Sequence, residues 1–141
     1  MTATTTLSNK HYSESSQIPG PAVLDLPQTT AKLHNDFSIA CGPGGMVSMT
    51  RALQISCNTA FAGLGLKLGA KALQDQAAKF GFGQSLRIPM PVTPSSVPAD
   101  LNAPETAQSA IGQFDVRVTP LQVAMVAAAN TRDIRMMSPA P

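Results

Sequence analysis

Apolar residues are sparse and irregular over the first 45 positions and become periodic only after Met46. In the first region Pro19-Gly20-Pro21, Leu26-Pro27 and Cys41-Gly42-Pro43-Gly44-Gly45 interrupt every run. Proline restricts the residue before it, and glycine-rich stretches turn. Val23-Leu24-Asp25-Leu26 supports at most a short strand. The pattern therefore predicts an extended loop region over 1–45. Loops of that length are uncommon in a self-sufficient domain and more often lie across a neighbour.

Beyond Met46 the spacing is helical. Ser48 can cap a helix through its hydroxyl, and Met49, Ala52, Leu53 and Ile55 follow on compatible positions. Ser56-Cys57-Asn58 then competes with helical hydrogen bonding and predicts a break. A second run, with Ala60, Phe61, Leu64 and Leu66, ends at Gly69. Gly65 and Gly69 form a small-xxx-small pair. Lys67 interrupts the segment as a membrane span, so the pair predicts close helix packing inside a domain. Over 70–80, Leu73, Ala77 and Phe80 share one face while Lys71, Asp75 and Lys79 are offset, an amphipathic helix closed by Gly81 and Gly83. Pro89, Pro91, Pro94, Pro98 and Pro104 make 84–104 a loop, read either as a polyproline ligand or, more simply, as a spacer. Pro104 can open a short helix through Ala110. Thr119-Pro120 opens another, whose Val123, Met125, Val126 and residues 127–129 are apolar nearly all round, which implies burial on several sides. Residues 131–141 carry no termination device and read as truncated.

Composition changes this picture in one respect. Only 13% of the 141 residues are charged, against a typical share of about 25%. So few charges suggest a surface partly covered by more protein. The net charge of +2 is small and its cations are scattered, which excludes a phosphate-backbone footprint and so nucleic acid as a partner. No apolar run reaches the ~18 residues of a membrane span. The N-terminal sixteen residues lack the apolar centre of a signal peptide. The expectation is a cytoplasmic chain, or a piece of a longer protein exported by a signal lying elsewhere.

Candidate chemistry is thin. His11 and His34 stand alone in loop sequence, and no Cys/His spacing suits zinc, so neither metal nor cofactor is expected. The acidic residues Asp25, Asp36, Asp75, Asp100, Glu105, Asp115 and Asp133 show no catalytic pairing. No phosphate loop or dinucleotide fingerprint occurs. Cys41 and Cys57 allow one crosslink or two free thiols. What remains is Ser56-Cys57-Asn58. A Ser-x-Asn triplet is expected by chance about 0.4 times in a chain of this composition, so its residues alone say little. Its place between two apolar helices says more, because a hydroxyl and an amide would protrude from a rigid support.

The surroundings of that triplet carry a resemblance. Ala52-Leu53-Gln54-Ile55-Ser56-Cys57-Asn58-Thr59-Ala60-Phe61 resembles the second active-site motif of penicillin-binding protein transpeptidase domains. Lys79-Phe80-Gly81-Phe82-Gly83, then Ser109-Ala110-Ile111-Gly112-Gln113 and Val118-Thr119-Pro120-Leu121-Gln122, match further family segments in the same order. The likeness covers about residues 20–137 and is strongest to the monofunctional class B enzymes. It implies a mainly α chain: the helical part of the α/β, serine β-lactamase-like transpeptidase fold, with long loops, 46–141 forming that helical part. It implies acyl transfer from D-Ala-D-Ala peptidoglycan stem peptides through an acyl-serine. Ser56 would relay a proton and Asn58 would bind the acyl amide of the stem peptide or of a β-lactam. Such enzymes are membrane-anchored and work outside the cytoplasmic membrane, where disulfides persist, so the resemblance implies a Cys41–Cys57 crosslink.

The sequence departs from the family pattern at two points. No serine has a lysine three places on, and no lysine precedes Ser/Thr-Gly. The nucleophile, its lysine and the carboxylate-binding strand are then expected from the remainder of the transpeptidase domain, and the chain alone is expected to be inactive. Self-association through the apolar 121–129 helix is a further expectation. The competing reading is a non-catalytic helical interaction module in which Ser56-Cys57-Asn58 is only a turn.

Overall fold

The computed structural model describes residues 1–8, 11–86 and 88–129. Helices dominate: α1 (Thr2–Ser8), α2 (Met49–Gln54), α3 (Asn58–Leu68), α4 (Ala70–Lys79), α5 (Ala103–Ala110) and α6 (Pro120–Ala129). The strands β1 (Gln17–Pro19), β2 (Val23–Asp25), β3 (Lys32–His34) and β4 (Met46–Ser48) have three residues each. β1 pairs antiparallel with β4, placing Ile18 opposite Val47. β2 and β3 form a separate antiparallel pair, Leu24 opposite Leu33.

The region 1–45 is more ordered than its sequence suggests. Besides three strands it holds α1, where a loop was expected. Threonine is a poor helix former, so local propensity does not explain α1. Tertiary packing does: Thr2 Oγ1 donates to the Ala110 carbonyl, and Thr2 and Thr6 are both buried.

The helices of 46–129 begin and end close to where their sequence signals lie. Ser48 Oγ accepts from the Arg51 N–H at 3.2 Å and caps α2. Gly69, at φ +82°, closes α3 and donates to the Gly65 carbonyl at 2.9 Å. Leu73, Ala77 and Phe80 bury the predicted face of α4. α5 starts from a capping box: Asn102 Oδ1 accepts from Glu105 N–H and Glu105 Oε2 accepts from Asn102 N–H, which satisfies two otherwise orphaned amides. The proline-rich loop is fastened at several points. Gln74 Nε2 donates to the Pro98 and Ala99 carbonyls, and Ser96 and Arg117 exchange backbone hydrogen bonds.

α3 is the central element. Its Ala60, Phe61 and Leu64 join Ile18, Val47, Met49, Ala52 and Cys57 in one buried cluster, and burial of a Leu or Phe contributes about 1.5–3 kcal/mol each. On its other side Gly65 lets α5 approach until a Cβ would sit 2.2 Å from the Ala110 Cβ. The small-xxx-small pair thus packs through Gly65 alone, since Gly69 faces open space and serves as a helix stop.

α6 departs from expectation. Only Gln122 is buried on it, and Val123 is 52% exposed, although burial on several sides was expected. The physical reason is that no described element covers its outer face. The C-terminal end of the expected family likeness, with Asp133, Met136 and Met137, lies outside the described residues. Among the described residues no helix is long and apolar enough to cross a membrane.

Candidate functional site

Ser56 and Asn58 flank the junction of α2 and α3. The backbone there has a specific form. The Ser56 N–H donates to the Leu53 carbonyl (3.2 Å) and the Cys57 N–H to the Ala52 carbonyl (2.9 Å). With Ser56 at φ +54°, this is a Schellman ending of α2 in which serine occupies the left-handed position that glycine ordinarily takes. A non-glycine residue there costs roughly 1–2 kcal/mol. Strained residues of this kind cluster at functional sites. The consequence is geometric: α2 stops sharply, Ser56 stands exposed, and α3 starts two residues later with Asn58.

Both residues line one cavity of about 340 Å³. Its walls are the start of α1, Leu53, the Ser56–Asn58 turn, Phe61 of α3, and the stretch Ser109 to Gly112 at the end of α5. Ser109 Oγ is buried and has no hydrogen-bond partner among the described residues. Met1 also lines the cavity, and burial lowers the pKa of its amino group below the usual value. Asn58 Nδ2 reaches the His34 carbonyl at 3.4 Å, a long bond that leaves its second N–H and its amide oxygen free to meet a ligand.

Cys57, between the two site residues, is bonded to Cys41, with Cα atoms 6.0 Å apart. Gly20 is packed against this bridge: a Cβ there would lie 2.9 Å from Cys41 Cβ and 3.0 Å from Cys57 Sγ. The bridge therefore ties the 35–45 loop to the turn.

The four segments singled out by sequence meet in two places. Ser56-Cys57-Asn58 and Ser109-Ala110-Ile111-Gly112 share the cavity. The other two meet at a second node, where Gln122 Nε2 donates to the Phe80 carbonyl at 2.5 Å, beneath Gly81. Thr119 supports that node by accepting the Gln122 N–H, as a helix cap.

Asp25–Lys32, Lys71–Asp75 and Asp115–Arg117 are exposed ion pairs, of a kind worth little. His34 Nδ1 contacts Ser38 Oγ at 3.3 Å on the surface. No metal-ligand group occurs among the described residues.

Comparisons with known proteins identify the family and the fold. The family model for the penicillin binding protein transpeptidase domain matches residues 1–140. Peptidoglycan D,D-transpeptidase PbpA of Mycolicibacterium smegmatis is 43% identical over 115 residues, covering 81% of this chain and 23% of that protein. Its Mycobacterium tuberculosis counterpart is 38% identical over 116 residues, covering 82% and 24%. The chain thus spans about a quarter of the length of these curated relatives. The solved imipenem acyl-enzyme complex of penicillin-binding protein A from M. tuberculosis superposes with TM-score 0.84 at 35% identity, over 89% of this chain and 29% of that one. The D,D-transpeptidase domain of a peptidoglycan glycosyltransferase from Eggerthella lenta follows at TM-score 0.75 and 28% identity, covering 92% and 34%. The mainly helical architecture is accordingly that of the helical part of the serine β-lactamase-like transpeptidase fold. This chain belongs to the penicillin-binding protein transpeptidase domain family.

Proposed function

We propose that this chain forms one wall of a peptidoglycan D,D-transpeptidase site, with Ser56 and Asn58 as its contribution to the chemistry. One observation carries the reading: an exposed serine in a left-handed turn and an asparagine at a helix start line the same cavity as Ser109 to Gly112. Ser56 then relays a proton to or from the reacting groups, and the Asn58 amide hydrogen-bonds the acyl amide of a D-Ala-D-Ala stem peptide or a β-lactam. The nucleophilic serine, its lysine and the carboxylate-binding strand come from the remainder of the transpeptidase domain, since this sequence contains neither Ser-x-x-Lys nor Lys-Ser/Thr-Gly. The serine expels D-alanine to form the acyl-enzyme, and an amine of a second stem peptide releases it. The completed enzyme is membrane-anchored and works outside the cytoplasmic membrane, where the Cys41–Cys57 bridge persists. Alone, the chain takes no β-lactam adduct.

The test is a graft. This chain replaces the corresponding quarter of M. tuberculosis penicillin-binding protein A, and intact mass spectrometry follows acylation by penicillin G. The reading expects an adduct with the graft, strong loss with Ser56→Ala or Asn58→Ala, and none on the chain alone. A graft acylated equally well without both side chains would sink it.

A further inference from the structure

α3 opens without a cap of its own. Its N-cap residue is Cys57, whose side chain makes no capping hydrogen bond and is held in the bridge to Cys41. The first amides of a helix need acceptors, and an N-cap side chain normally serves the second or third helical residue. Here the acceptor arrives from a distant loop. Asn35, buried and 9% exposed, accepts the N–H of Thr59, the second residue of α3, at Oδ1 (2.9 Å). Its Nδ2 donates to the carbonyls of Pro21 (2.8 Å) and Ile39 (2.9 Å). Thr59 Oγ1 donates to the same Pro21 carbonyl at 2.7 Å. Both amide protons of Asn35 and its oxygen are therefore engaged, and a buried polar network satisfied in this way is rigid.

We infer that Asn35 is the positioning residue of the Ser56–Asn58 turn, acting as the N-cap of α3 from another part of the chain. Asn58 is bracketed. Cys57 on one side is tied covalently to Cys41, and Thr59 on the other is tied through Asn35 to Pro21 and Ile39. The bridge fixes Cys57 and the Asn35 hydrogen bond fixes Thr59, so the two together set the direction of the Asn58 side chain between them. The functional consequence rests on the transpeptidase reading; the capping geometry does not.

Amide hydrogen exchange on the oxidised, intact chain tests this, with Asn35→Ala and Thr59→Val. Loss of a helix cap should speed exchange of the Thr59 amide roughly five- to thirtyfold in Asn35→Ala, with shifted Asn58 side-chain amide resonances. The amides of Leu73 and Ala77 in α4 should keep their protection. So should the Cys41 amide, which bonds the Gly20 carbonyl without the Asn35 side chain and which general loosening of the loop would expose as well. Thr59→Val removes only the hydroxyl bond to Pro21 and keeps the capped N–H, so exchange at residue 59 should stay far slower than in Asn35→Ala. Two results overturn the proposal: a protected Thr59 amide in Asn35→Ala, or Thr59 and Cys41 amides that speed up equally there. The penicillin G graft adds a functional reading. There Asn35→Ala should slow acylation roughly tenfold or more. An unacylated wild-type graft counts against the transpeptidase reading alone, because exchange decides the role of Asn35 independently.

Discussion

Replacing Gly65 with alanine should destabilise this chain, although it puts a better helix former in the middle of α3. Helix propensity favours the change by about 1 kcal/mol. Packing opposes it. The new Cβ would lie 2.2 Å from the Ala110 Cβ and 3.4 Å from the Thr106 carbonyl oxygen, whereas carbon atoms in contact sit at about 3.5–4.0 Å. Neither obstacle is the flexible end of a long side chain, so α3 and α5 must separate by more than an ångström. Ala62 and Ala107, both 0% exposed, lie near that interface and would lose contact. Overpacking of this kind costs about 1–3 kcal/mol and more when backbones must move. The net expectation is a loss of about 1–2 kcal/mol, or several degrees in Tm. Urea denaturation followed by circular dichroism measures it. Ala110→Gly removes the atom that is struck, so the double variant should be more stable than the sum of the single changes by about 1–2 kcal/mol. A Gly65→Ala chain as stable as wild type, or a cycle with no coupling, would refute the packing account. The site is at stake as well, because α5 leads directly into the Ser109 to Gly112 wall.

Other expectations follow from the same geometry. Ser56→Gly relieves the left-handed serine and should stabilise the chain by up to about 1 kcal/mol; a loss of stability in denaturant titration would contradict the strain, and in the graft this variant should lose acylation despite the gain. Reduction of the Cys41–Cys57 bridge, or its replacement by two serines, should cost about 3 kcal/mol for a loop of this size, and thiol titration of the unfolded, unreduced chain should find no free thiol. Because α6 exposes Val123, the chain should self-associate with rising concentration in sizing experiments, and Val123→Asp should reduce this; a monomer at all concentrations would contradict it.

The sequence by itself determined those features whose cause is local. Ser48 announces α2, Gly69 stops α3, the spacing of Leu73, Ala77 and Phe80 sets the buried face of α4, and Pro104 and Thr119 mark the starts of α5 and α6. Each depends on atoms within a turn or two of the chain. The Ser56-Cys57-Asn58 break was legible for the same reason, although its left-handed serine was not.

Tertiary structure decided the rest, because the partners lie far apart in sequence. Thr2 bonds a carbonyl 108 positions away, and this supports α1 in a segment whose threonines argue against a helix. Asn35 looked like one more loop residue, since its partner Thr59 is 24 positions off and no local pattern links them. The pairing of Cys41 with Cys57 stood open from spacing alone and is resolved by a 6.0 Å Cα approach beside Gly20. α6 shows the converse limit. Its sequence calls for cover on several sides, but whether a helix is buried depends on what packs against it, and among the described residues little does. Local hydrogen bonding can be read from neighbours in the chain; a cleft, a trans-acting cap or a covered face exists only where separate segments converge.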